Sequence, residues 1–155
     1  MFTETRLLTA SLLAMAFTVN AAAAEKRISR AQLPKAVRRT ADEQSRGATV
    51  RQYTTDFENG RREYEIEMIS DGHSKDVAIA PDGRLLEIEE EVNINALPAQ
   101  IVSALRKRAG RGQITKVESV RKNGTVVAYE AQVHTAGKHS EIQVGPNGEA
   151  LLHEE

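Results

Sequence analysis

The chain has 155 residues, 21 Lys and Arg against 22 Asp and Glu, and a formal net charge of −1. Near balance gives no electrostatic case for a nucleic-acid partner, because the bases are scattered along the sequence and not massed in one segment. Cysteine is absent, which excludes thiol catalysis, thiolate metal sites and disulfide exchange, and leaves stability to ordinary packing.

Arg6 is followed by an uncharged, mostly apolar run from Leu7 to Val19, then Asn20 and the small residues Ala21 to Ala24. This is the layout of a secretory signal peptide, and the run is too short for a spanning helix, which needs about 20 residues. Cleavage is expected after Ala24. Residues 1–24 are thus expected to be a signal peptide, and the mature chain is expected in the periplasm or outside the cell, with no stable membrane insertion.

Beyond the signal, landmarks recur. Leu33-Pro34 returns as Leu97-Pro98 and Asn59-Gly60 as Asn123-Gly124, each 64 positions on. Tyr64-Glu65 returns as Tyr129-Glu130, Gly72 as Gly137 and Pro81-Asp82-Gly83 as Pro146-Asn147-Gly148, each 65 positions on. Five landmarks in one order indicate an internal repeat, with units over 25–92 and 93–155.

In each copy Leu-Pro opens a helix, with Pro just inside its start, where a missing N–H is harmless. Apolar residues follow at helical spacing: Leu33, Val37 and Ala41, then Leu97, Ile101, Ala104 and Leu105. Gly47 and Gly110 end the helices. The paired bases Arg38-Arg39 and the run Arg106-Lys107-Arg108 are expected on the outer helix faces.

Asn59-Gly60 is a strong hairpin signal between strands over Thr49–Phe57 and Arg61–Ile69. Tyr64, Ile66 and Met68 alternate with Glu63, Glu65 and Glu67, so one face is apolar and the other acidic. Asp71-Gly72 leads into a third strand with Val77 and Ile79 inward. Pro81-Asp82-Gly83 leads into a fourth, where Leu86 and Ile88 oppose Glu87 and Glu89. The second copy repeats this with Tyr129, Ala131 and Val133, then Ile142 and Val144, then Leu151. The expected fold class is α+β: two tandem repeats, each one helix packed on a four-stranded antiparallel sheet, joined by a short linker from Val92 to Ala96. The polar sheet faces are then the largest surfaces open to a partner.

The Leu-Pro helix openings, Tyr64-Glu65 and Tyr129-Glu130, and Asp82-Gly83 and Asn147-Gly148 before Leu85-Leu86 and Leu151-Leu152, resemble the PepSY-like family, more narrowly its tandem, β-lactamase-inhibitor-protein-like members. The resemblance spans about residues 28–153. It implies an exported, non-catalytic binding module, in some contexts an inhibitor of peptidases or β-lactamases. It carries over no catalytic residue, since Tyr64, Glu65, Gly83, Tyr129, Glu130 and Gly148 match as scaffold. The chain departs from the inhibitor-like subgroup, which commonly has disulfides and aromatic-rich concave surfaces, in having no Cys and no Trp.

His134 and His139 flank a loop and can face one another across a hairpin, as candidate metal ligands with His153 or Glu141 as a third. Three or four convergent ligands are usually needed and Lys138 lies between them, so no metal is assigned. His73 sits at the corresponding loop of the first copy. Glu87, Glu89, Glu90 and Glu91 form an acidic cluster without the spacing of a Ca²⁺ loop; alternation puts Glu87, Glu89 and Glu91 on one solvated face. No nucleophile elbow, zinc-protease, phosphate-loop or dinucleotide motif occurs. The expectation is a non-enzyme without cofactor that binds another protein, as inhibitor or regulator of an envelope enzyme such as a peptidase. The alternative is a small-ligand or metal-binding protein using the His134/His139 hairpin.

Overall fold

The structure is a computed structural model and describes residues 23–58 and 60–151. Residues 1–22 of the expected signal peptide 1–24 lie outside the described residues, as does His153, while its last two, Ala23 and Ala24, open the first strand. In chain order the elements are β1 (Ala23–Ile28), a 3₁₀ turn (Arg30–Gln32), α1 (Lys35–Gln44), β2 (Thr49–Glu58), β3 (Arg61–Ser70), β4 (His73–Ile79) and β5 (Leu85–Glu91). A second 3₁₀ turn (Ile94–Ala96), α2 (Ala99–Ala109), β6 (Gln113–Lys122), β7 (Thr125–Thr135) and β8 (Lys138–Val144) follow.

The strands form one antiparallel eight-stranded sheet in sequential order from β1 to β8. This corrects the expected pair of helix-plus-four-strand repeats. Strand β5 pairs with β4 on one side and with β6 on the other, the second register running from Ile88↔Arg121 to Glu91↔Glu118. A free β5 edge would expose a row of unpaired N–H and C=O groups, and β6 satisfies them. Hydrophobic alternation along a strand says nothing about which strand lies beside it. Two further differences belong to the ends. Ala23–Ile28 adds β1, which pairs with β2, and no strand forms at Leu151 among the described residues.

The repeated landmarks occupy matching places within this single sheet. Lys26 opposes Thr55 as Glu90 opposes Ser119, and Arg27 opposes Thr54 as Glu91 opposes Glu118. Strand β5 therefore serves the second half as β1 serves the first, and the chain does not divide between them.

Both helices cover the same sheet face. Val37 and Ala41 of α1 pack with Leu33, Ile66, Met68, Val77 and Ile79 in one buried cluster. Ile101 and Leu105 of α2 pack with Val117, Ala131 and Val144 in another. Burying such side chains stabilises by about 1.5–3 kcal/mol each. Pro34 and Pro98 sit at the N-caps, one position before the helices and not inside them; their extended backbone (ψ 150° and 141°) turns the chain into the first helical residue. The turns after β4 and β8 lie against the opening turns of the helices. At Gly83 and Gly148 φ is 88° and 83°, and an added Cβ would stand 2.9 Å from Ala36 O and 3.0 Å from Gln100 O. Glycine is required at both for conformation and for space.

Candidate binding face: carboxylate rows on the open sheet

Alternation places on the helix-free face Glu65 and Glu67 of β3, Asp76 of β4, Glu87, Glu89 and Glu91 of β5, Lys116 and Glu118 of β6, and Glu130 of β7. The registers join these residues into rows. Glu67 opposes Asp76, which opposes Glu89. One step along, Glu91 opposes Glu118, which opposes Glu130. Like charges directly opposite across strands are destabilising by several tenths of a kcal/mol or more. Six carboxylates in two such rows are not what folding alone selects.

The rows are sunk into the face. Glu118 is 2% exposed and Glu130 9%. Lys116 Nζ lies 2.7 Å from Glu118 Oε1 and 3.4 Å from Ser74 Oγ. Ser74 N–H donates to Glu91 Oε2 at 3.0 Å, and Ser74 Oγ lies 3.1 Å from Glu118 Oε1 and 3.3 Å from Glu91 Oε2, so its single proton serves one carboxylate at a time. Glu130 accepts from Gln143 Nε2 at 2.8 Å. Glu67 accepts from Gln52, which accepts in turn from Arg27.

Crowding moves protons. Burial first, then the hydrogen bond to Glu87 and the charges of Glu130, Glu87 and Glu118, push the Glu89 carboxyl up to about 9. Burial and the charges of Asp76 and other neighbours raise Glu65 to about 7. Burial and Glu118, opposed by Lys116, raise Asp76 to about 6. Burial works against the Lys116 ammonium, but the Glu118 carboxylate outweighs it and its pKa is raised. Glu91 is lowered, chiefly by the Ser74 N–H.

Asp76, Glu89 and Glu118 each bring one oxygen within 4.8 Å of the others. The group is hard-oxygen chemistry of the kind that suits a cation, and Lys116 already supplies one to it. What the face displays is therefore a carboxylate cage that takes an ammonium group.

The acidic cluster read from the sequence divides. Glu87, Glu89 and Glu91 share the open face, with Glu87 at 3.2 Å from Lys122, whereas Glu90 faces the helix side, 3.7 Å from Lys75 and 3.9 Å from Arg121. Glu89 is half-buried, which corrects the expectation of a solvated position. Asp76, Lys116 and Glu118 were missed. Their signal was available in part, since the acidic alternation of Glu63, Glu65 and Glu67 marks the face, but the rows depend on register.

His134 and His139 do meet. They are directly opposed in β7 and β8, with stacked rings 4.8 Å between centroids. Glu141 opposes Gln132, one step further along the same face, and among the described residues no third ligand joins the pair. His73 opens β4, well across the sheet from β7 and β8, and lies 3.8 Å from Glu91.

The fold resembles solved structures. A protein from Bacteroides eggerthii described as a candidate periplasmic protein aligns over 76% of this chain and 85% of its own, with 17% identity and a TM-score of 0.61. A BLIP-like protein from Bacteroides fragilis aligns over 79% and 85%, with 21% identity and a TM-score of 0.53. A DUF2874 family protein from Bacteroides ovatus aligns over 76% and 84%, with 16% identity and a TM-score of 0.58. No protein-family model matches the chain, and no curated protein matches it. At these identities the likeness shows the fold, which is BLIP-like.

Proposed function

We propose that this chain is a non-catalytic binding module of the bacterial periplasm, and that its open sheet face receives a basic segment of another protein. The observation that carries this reading is the pair of carboxylate rows, Glu67-Asp76-Glu89 and Glu91-Glu118-Glu130, set directly opposite one another across adjacent strands. A partner Lys or Arg placed over them compensates their crowded charge and can take the place of the proton that burial and its neighbours favour on Glu89. Lys116, seated on Glu118, is the internal example of the contact. The resemblance of its sequence landmarks to the PepSY-like family supports a role as an inhibitor or regulator of an envelope enzyme such as a peptidase.

Export is supported by the run Leu7 to Val19 before Ala22 to Ala24, and no helix among the described residues is long and apolar enough to cross a membrane. Cross-linked pull-down from the native envelope fraction, run with the parent and with Glu67→Gln/Glu89→Gln, tests the reading. The parent should enrich a partner that the neutralised chain loses. If both capture the same set of proteins, the reading fails.

A further inference from the structure

The helical layer, on the side of the sheet away from the carboxylate rows, has the opposite charge. From Ser29 to Ala48 five bases stand against Asp42 and Glu43, and from Asn93 to Gly112 four bases stand against no acid. The surplus is seven positive charges in a chain of formal net charge −1. Lys35, Arg39, Arg106, Lys107, Arg108 and Arg111 are all exposed, while Val37, Ala41, Ile101 and Leu105 of the same helices face the sheet. Arg30 is tied to Asp42 at 2.5 Å; among the described residues no carboxylate forms an ion pair with Arg39 or with the four bases of the second segment. Arg106, Lys107 and Arg108 fill the last turn of α2, where the carbonyl end of the helix favours a base. That accounts for a base at this position, but not for a surplus of seven over the whole layer.

We propose that the helical layer rests on an anionic phospholipid bilayer, a peripheral and salt-reversible contact that leaves the carboxylate rows facing away from the membrane. Each Lys or Arg close to such a surface adds to the attraction, so four or five in contact give substantial binding with no inserted apolar group. A second copy of this chain offers the other available negative surface. Its carboxylates, however, are fixed in two cross-strand rows, whereas these bases are spread along two helices and their flanking turns. Lipid headgroups rearrange to meet scattered charges and need no matching register. The docking stands apart from the partner reading; only its consequence for orientation rests on that reading.

Co-sedimentation of the full chain with vesicles tests the proposal, using phosphatidylcholine alone and phosphatidylcholine mixed with phosphatidylglycerol. The substituted variants, which keep the run Leu7 to Val19, correct for any contribution of that run. The parent should partition at least about tenfold more onto the anionic vesicles, with the excess lost at high salt. Arg39→Glu combined with Arg106→Glu and Arg108→Glu should abolish the excess; all three side chains are exposed, so the fold is kept, with a thermal midpoint a few degrees lower because acids replace bases at the carbonyl end of α2. Should that variant fail to fold, Arg106→Gln/Arg108→Gln is expected to reduce the excess severalfold. Equal partition of the parent onto both vesicles at low salt overturns the proposal. So does a preference unchanged by the substitutions, or sedimentation velocity showing that the bases drive self-association with no lipid preference.

Discussion

Lys116 and Glu118 lie two residues apart on β6 and point to the same face, with Nζ 2.7 Å from Oε1 and the carboxylate almost fully enclosed. Their pairing is what lets a glutamate stand in the centre of the second row. Removing one member of a buried pair leaves an uncompensated charge and costs about 3–5 kcal/mol; the partial exposure of Lys116 reduces this to about 2–4 kcal/mol for Lys116→Met. Adding Glu118→Gln to that substitution should recover more than half. Urea denaturation of the two single variants and the double variant gives the coupling, and a loss below about 0.5 kcal/mol for Lys116→Met would contradict the arrangement.

The proton affinities of the rows predict an unusual pH dependence. Glu89, Glu65 and Asp76 are raised from 4.5, 4.5 and 3.8 to about 9, 7 and 6. At pH values above those ordinary values the unfolded chain has released these protons while the folded chain retains them. The folded state binds more protons, so stability falls as pH rises. This contribution is complete below about pH 4 and is lost progressively up to about pH 9. Thermal midpoints should therefore decline from pH 5 to pH 9.

Glu89→Gln isolates one part of that slope, because the amide imitates the protonated acid. At pH 5 the variant should lie close to the parent; at pH 8.5 it should melt at least about 3–6 °C higher, the change expected of about 1 kcal/mol. An unchanged slope would show that Glu89 does not hold its proton.

Glycines of similar φ offer a matched comparison. Gly83 (φ 88°) has Ala36 O within 2.9 Å of where a Cβ would lie, while Gly124 (φ 78°) has nothing within 4 Å. Gly124→Ala should cost about 1–2 kcal/mol from the left-handed backbone alone. Gly83→Ala should cost about 2–4 kcal/mol, because the turn must also move away from α1. Equal losses by chemical denaturation would show that the turn and helix do not meet so closely.

The sequence made legible whatever depends on short-range spacing. Gly60 and Asn123-Gly124 fall at hairpins between β2 and β3 and between β6 and β7, and Tyr64, Ile66 and Met68 face the core as their alternation predicts. What it did not show depends on lateral neighbours. The β5–β6 seam brings Glu91 against Glu118, residues with a helix between them in the chain. Likewise the bases look scattered along the sequence, yet two helices on one sheet face collect them into a layer. Local pattern fixes which way a side chain points; register and topology decide what it meets.

Strand β5 is shared by the two halves of the chain, its hydrogen bonds divided between β4 and β6. Neither half can melt alone without stripping one edge of this strand, so the two hydrophobic clusters, though separate, are bound into one cooperative transition. A cut placed after Glu91 would not yield two small domains. It would leave one fragment with an unsatisfied edge and the other without its first strand, each a template for strand addition by its neighbour.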